Sequence, residues 1–184
     1  MIEKKYLSAN SYLHDIWRLA AKVRSGGFRP DVLIALWRGG APVGVAVHEF
    51  LKASGWDVRH AVIKCASYTG INENDSDVVF EYSQELLSSI KADEKVLVVD
   101  DVFDTGKTAL AIKSLLESRS LEMRMASVYY KPLKNKTDIS PDYFVREFSD
   151  EWIVFPHEIC ELSSEEVAIK DPVLFELLSA CKQG

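Results

Sequence analysis

Apolar residues recur at intervals of three and four between residues 10 and 24, where Leu13, Ile16, Trp17, Ala20 and Val23 share one face. That spacing predicts an amphipathic helix, ending at Gly26-Gly27. The period then changes. Val32-Leu33-Ile34-Ala35-Leu36 is a continuous apolar run too short for a helix and predicts a strand covered on both faces. A turn containing Gly39-Gly40 follows, and then a helical stretch from Pro42 to Ala53. Val58 to Cys65 is a second apolar run, the polar segment Ser67 to Asp77 predicts a mobile loop, and Val78 to Tyr82 predicts a short strand.

Lys95-Val96-Leu97-Val98-Val99 is almost entirely β-branched or leucine, as a central strand of a parallel sheet should be. From Gly106 onward Thr108, Ala109, Ile112, Leu115 and Leu116 return to helical spacing, and Met123 to Tyr130 reads as another strand. Beyond Pro132 the pattern is irregular, with strand candidates at Tyr143 to Phe148 and Trp152 to Phe155 and a C-terminal helix within 163–182, clearest from Pro172 to Ala180. Strands that alternate with helices predict an α/β fold, a mostly parallel central sheet flanked by helices. No internal repeat, low-complexity tract or linker interrupts the chain. Its 184 residues with 47% hydrophobic content suit one domain with one substantial core, placed at about residues 28–135.

Composition narrows the partners. A net charge of -6 repels nucleic acid and anionic membrane, so neither is expected as a partner. The N-terminal residues lack the apolar centre of a signal peptide, and no stretch approaches ~18 uncharged apolar residues, which predicts a cytoplasmic location. Cys65, Cys160 and Cys181 are odd in number and form no C-x-x-C pair, which argues against a disulfide framework or a zinc site and for reduced thiols in packing roles. His14, His48 and His60 have no partner at ligand or triad spacing and read as structural.

The candidate chemistry lies at Asp100-Asp101-Val102-Phe103-Asp104-Thr105-Gly106-Lys107-Thr108, read as a loop where a buried strand ends and a helix begins. In open α/β sheets ligands sit beyond the carboxyl ends of strands. Gly106-Lys107-Thr108 is not the tail of a nucleoside-triphosphate P-loop, because that motif needs a glycine where this chain has Asp101. The order of residues suggests two tasks instead. Thr105, Gly106, Lys107 and Thr108 can aim N–H groups and hydroxyls at a phosphate monoester at the positive end of a helix. Asp100 and Asp101 would repel that phosphate but suit a sugar diol, or a hydrated Mg²⁺ shared with a pyrophosphate.

Val96 to Ala109, VLVVDDVFDTGKTA, resembles the binding signature for 5-phosphoribosyl 1-pyrophosphate of type I phosphoribosyltransferases. Four apolar residues, two acids, Asp-Thr-Gly and a later Thr all match, while Lys107 stands where many members carry a small residue. Leu36-Trp37-Arg38-Gly39-Gly40 is similar to the family's pyrophosphate loop, which implies that Arg38 and the backbone at Gly39 hold the leaving diphosphate, with a non-proline cis peptide admitted there. The resemblance also implies a lid in which Ser67 and Tyr68 close over the reaction centre and exclude water.

Tyr130-Lys131-Pro132 and Trp152-Ile153-Val154-Phe155-Pro156 resemble the base site of the 6-oxopurine branch, especially small bacterial or archaeal xanthine-guanine and hypoxanthine enzymes. The implied roles are an O6 donor for Lys131, ring stacking for Trp152 and a backbone contact for Ile153, within a small C-terminal hood at about 136–160. His157 departs from the Trp common at its position. The implied reaction moves the phosphoribosyl group from its pyrophosphate donor to hypoxanthine, guanine or xanthine, with Mg²⁺ as cofactor and Asp104 handling the proton. Related enzymes imply a homo-oligomer, a dimer or tetramer. Two alternatives remain at this stage: a phosphoribosyltransferase for orotate or adenine, and a non-catalytic regulator that senses the phosphoribosyl donor.

Overall fold

A computed structural model describes residues 4–69, 76–81, 83–118 and 121–181, with only the backbone at 66–69, 76, 77, 79 and 83. Two compact units divide the chain, Leu13–Asp150 and Met1–Tyr12 with Glu151–Gly184. Among the described residues the order is β1 (Lys4–Tyr6), α1 (Ala9–Ser25), β2 (Val32–Trp37), α2 (Gly40–Ala53), β3 (Arg59–Thr69), β4 (Ser76–Glu81), α3 (Ser83–Ser89), β5 (Lys95–Phe103), α4 (Lys107–Glu117), β6 (Glu122–Tyr130), β7 (Tyr143–Glu147), β8 (Trp152–Val154), α5 (Ser164–Lys170) and α6 (Pro172–Cys181). No helix among the described residues is long and apolar enough to cross a membrane.

The larger unit is built on a six-stranded sheet of order β4-β3-β2-β5-β6-β7. Every pairing is parallel except β3 with β4. The mixed α/β architecture expected from the alternating pattern is therefore present. Continuous apolar runs became the central strands because both of their faces are covered. On one face Val32, Ile34, Leu36, Val96 and Val98 join Ile112 and Leu116 of α4 in the core. On the other, Gly44 of α2 lies over Ala35, Leu33 and Val99. Helix α1 is tied to β6 and β7 through the buried Asp15, whose carboxylate accepts a hydrogen bond from the Tyr129 hydroxyl at 2.9 Å and pairs with Arg146.

Four expectations change. The segment Ser67 to Asp77 is not a loop over its whole length, since Ser67, Tyr68 and Thr69 continue β3 and pair with Val78, Asp77 and Ser76 of β4. Polar residues are acceptable there because an edge hairpin exposes one face to water. Residues 70–75 of that segment lie outside the described residues. The acidic segment is likewise shorter as a loop than expected: Asp100 to Phe103 extend β5, because β6 reaches as far and pairs through Phe103 and Tyr130. Tyr143–Glu147, expected within the 136–160 segment of the hood, pairs with β6 as the edge strand of the main sheet. The C-terminal helix is two helices, because Pro172 drives Asp171 into an extended conformation of φ -159° and ψ 107°.

The smaller unit pairs β1 with β8 in parallel, Lys4 opposite Trp152 through Tyr6 opposite Val154. Helix α5 starts on a capping box in which Ser163 and Glu166 satisfy each other's backbone N–H groups. Strand β1 and helix α3 were not legible in the sequence. Three and seven residues respectively are too few to establish a period.

Candidate active site

The site is assembled at the carboxyl ends of β2, β5 and β6. Strand β5 carries Asp100 and Asp101 to its end, where the Asp100 carboxylate accepts from the Asp101 backbone N–H at 3.0 Å and Asp101 accepts from Val102 N–H at 2.7 Å. Burial, with the Asp101 charge beside it, pushes Asp100 well above the ordinary carboxylate range. Two adjacent acids in this position need a cation or hydrogen-bond donors to be ionised together.

The β2–α2 turn lies directly against these acids. A Cβ on Gly39 would fall inside the Asp101 carboxylate, and one on Gly40 would lie 2.6 Å from the Val99 carbonyl oxygen. Only glycine permits that approach. The peptide bond between Trp37 and Arg38 is cis, the form that the resemblance admits at this turn. Arg38 is exposed, and no hydrogen bond or ion pair engages its guanidinium among the described residues.

Beyond Phe103 the chain turns through Asp104 and Thr105 to Gly106, which has φ 78° and caps α4 without a side-chain hydrogen bond. Lys107 N–H makes a long contact of 3.5 Å to the Thr105 hydroxyl oxygen, and the glycine cap itself offers no side chain to the other first-turn N–H groups. A small pocket of about 80 Å³ opens here, lined among others by Asp100, Asp104, Thr105, Gly106 and Thr108. Lys107 is exposed and is not part of that lining. The sequence segment thus separates in space, its hydroxyl and N–H groups around the pocket and its lysine outward.

Lys131, at the end of β6, is 5% exposed and sets its Nζ 3.5 Å from Asp104 Oδ2. A backbone hydrogen bond of 2.9 Å from Lys131 N–H to the Phe103 carbonyl fixes the two strand ends together. Asp104 Oδ1 is enclosed and has no hydrogen-bond partner. A buried acceptor without a partner is costly, which marks this carboxylate as one whose hydrogen bonding is incomplete.

Two metal-side observations bear on Mg²⁺. Among the described residues no cluster of three or more His, Cys, Asp or Glu is arranged to hold an ion alone. Asp100 and Asp101 offer hard carboxylate oxygens, which fits an ion that keeps several waters and takes the rest of its ligands from phosphates.

The remaining expected site residues belong to other elements. Ser67 and Tyr68 sit on the backbone of β3. Trp152 and Ile153 belong to β8 of the smaller unit, where Ile153 is buried and Trp152 is 41% exposed with Lys4 Nζ 5.9 Å from its ring centroid. His157 stacks on Phe155 with ring centroids 5.8 Å apart.

The sequence reading missed Asn135, Lys136 and Thr137, which lie against the turn Phe103–Gly106: Lys136 N–H donates to the Thr105 carbonyl at 3.0 Å. The available signal was the Asn two residues before a Thr, a pattern that favours a side-chain turn. Cys65 is half-buried, and burial together with the negative charge of Asp100 pushes its thiol up to about 12. The packing role expected for it follows. In a thiol titration of native protein at neutral pH, exposed Cys160 and Cys181 should react and Cys65 only on unfolding. Rapid modification of all three would contradict the inert environment of Cys65.

Comparison with known proteins identifies the family. The phosphoribosyl transferase domain family matches residues 4–164. The chain belongs to that family, and it is a phosphoribosyltransferase. It is 27% identical over 127 residues to the hypoxanthine-guanine phosphoribosyltransferase of Staphylococcus aureus (strain Mu50), covering 68% of each chain. A purine phosphoribosyltransferase from Pyrococcus horikoshii is 28% identical with a TM-score of 0.68, over 88% of this chain and 98% of that one. A Neisseria gonorrhoeae protein solved with bound ppGpp shares the fold, with a TM-score of 0.74 and 22% identity over 94% of this chain and 98% of that one.

Proposed function

We propose that the protein transfers the 5-phosphoribosyl group from 5-phosphoribosyl 1-pyrophosphate to a 6-oxopurine, hypoxanthine, guanine or xanthine, giving a purine nucleoside monophosphate and pyrophosphate in purine salvage. The observation that supports this most is the pair beyond the ends of β5 and β6, the Asp104 carboxylate, whose Oδ1 has no hydrogen-bond partner and whose Oδ2 lies 3.5 Å from the buried Lys131 ammonium. A carboxylate next to an ammonium matches the imidazole edge and the adjoining O6 of an oxopurine, the carboxylate accepting the N7 proton and the ammonium donating to O6. The names of the Staphylococcus aureus and Pyrococcus horikoshii relatives support the purine class.

The other residues take roles around that pair. Thr105, Gly106 and Thr108 hold the 5'-phosphate through N–H groups and hydroxyls, with the Lys107 charge outside them. Asp100 and Asp101 accept from the ribose hydroxyls and hold Mg²⁺ largely through water. Bound Mg²⁺ supplies charge neutralisation for the departing pyrophosphate. Arg38 and the amides at Gly39 hold the same pyrophosphate, where negative charge grows as the anomeric bond breaks. Ser67 and Tyr68 act as the lid, Trp152 stacks on the base and Ile153 contacts it through backbone. A dimer or tetramer in the cytoplasm belongs to the same proposal.

The reaction is tested by incubating pure protein with the donor, Mg²⁺ and each base in turn, and separating the nucleotides by chromatography. An oxopurine nucleotide is expected, and excess EDTA should abolish it. Product from orotate or adenine alone would replace the substrate assignment, and undiminished turnover in EDTA would remove the metal. Trp152→Ala should raise KM for the purine far more than KM for the donor, since stacking surface is lost on one substrate only. Equal changes in both constants would return Trp152 to a packing role.

A further inference from the structure

We infer that Asn135 is a positioning residue for phosphate binding, acting through the segment 135–139 that braces the turn Phe103–Gly106; this rests on the phosphoribosyl reading of that turn. Asn135 does not line the pocket. Its side chain nevertheless uses its full hydrogen-bonding capacity. Oδ1 accepts from Thr137 N–H at 2.9 Å and from the Thr137 hydroxyl at 2.8 Å. Nδ2 donates to the Ile139 carbonyl at 2.7 Å and to the Tyr130 hydroxyl at 3.3 Å. One amide thus closes the segment on itself and fastens it to the end of β6.

The closed segment touches the turn at two places and reaches it at a third through Tyr130 of β6. Lys136 N–H holds the Thr105 carbonyl at 3.0 Å. Gly106 is in van der Waals contact with it, since a Cβ there would collide with the Thr137 hydroxyl and lie 2.7 Å from Asn135 Oδ1. The Tyr130 ring that receives the Asn135 amide meets Phe103 edge-on, with centroids 5.4 Å apart. Gly106 adopts φ 78° and gives α4 no side-chain cap, and the turn's own side-chain restraint is a long 3.5 Å contact from Lys107 N–H to the Thr105 hydroxyl. The brace adds restraint from a part of the chain about thirty residues later. A preformed turn pays less ordering cost when phosphate arrives, so loosening it should appear in donor affinity.

The test compares wild type and Asn135→Ala by calorimetry with two separate probes, ribose 5-phosphate and inorganic pyrophosphate with Mg²⁺, and by steady-state kinetics. Loss of the amide should weaken ribose 5-phosphate and raise KM for the donor by about tenfold, the effect of losing a hydrogen bond or two. Pyrophosphate affinity should hold, and kcat at saturating donor should change less than KM. Thr137→Val, which keeps the side-chain shape, should give a smaller shift in the same direction and serves if Asn135→Ala does not fold. Asn135→Asp retains the acceptor for Thr137 and should recover part of the affinity. Ribose 5-phosphate affinity unchanged in both Asn135→Ala and Thr137→Val, or both probes weakened alike, overturns the positioning role. Failure of the wild type to bind ribose 5-phosphate would instead defeat the phosphoribosyl reading of the turn.

Discussion

Replacing Asp104 by Asn should lower kcat by about 10² or more while leaving donor affinity within a few-fold of wild type. The substitution keeps the size and the Oδ1 acceptor of the side chain but removes the charge that makes it a base. Asp104 is 38% exposed on its side chain, so a neutral amide can be accommodated without a fold-wide penalty. In the proposed roles the 5'-phosphate of the donor rests on Thr105, Gly106 and Thr108, which line the pocket and which the substitution leaves in place. Steady-state kinetics with ribose 5-phosphate binding as a control separates the two effects. A folded variant with unchanged kcat removes Asp104 from proton transfer.

Lys131→Ala should cut kcat/KM for an oxopurine by about 10-fold to 150-fold, the equivalent of a charged hydrogen bond of roughly 1.5 to 3 kcal/mol. An ammonium has three donors and no acceptor, so it satisfies a keto O6 and opposes an amino group. Any adenine activity should therefore not fall in the variant. The lysine stem is buried, and truncation also opens space beside Asp104. Lys131→Met fills that space without the charge and should show the same selective loss. Oxopurine kinetics equal to wild type would strip the substrate assignment of its strongest support. Equal losses for both classes of base would place the lysine's effect on Asp104 or on the fold, and the transferase would survive without its purine assignment.

The two substitutions also distinguish neighbouring roles. Asp104 and Lys131 are 3.5 Å apart, so their effects should not simply add. The double variant is informative chiefly through the adenine arm, where only the loss of Asp104 should register.

Much of this could be read from residue order alone. Continuous β-branched and leucine runs can be stable only with both faces covered, so the central strands at residues 32–36 and 95–99 and the parallel sheet followed directly. The acid pair, the Asp-Thr-Gly turn and the glycine pair after the first buried strand were legible for the same reason: their chemistry is local, carried by adjacent side chains and backbone. Strand limits were not local. Asp100 to Phe103 are strand because β6 is long enough to pair with them, and Ser67 to Thr69 are strand because β4 returns alongside. Nothing in their own polarity requires either outcome.

Sequence by itself determined the fold class and the family signature, because side-chain periodicity and short motifs are properties of neighbours along the chain. Tertiary structure alone decided that Gly39 stands against Asp101, that Lys131 faces Asp104 while one of its oxygens is left open, and that Asn135 fastens a brace behind Gly106. Those relations join residues about thirty to sixty positions apart. They depend on the order in which strands enter the sheet and on the few ångströms between their ends, quantities that no local pattern encodes.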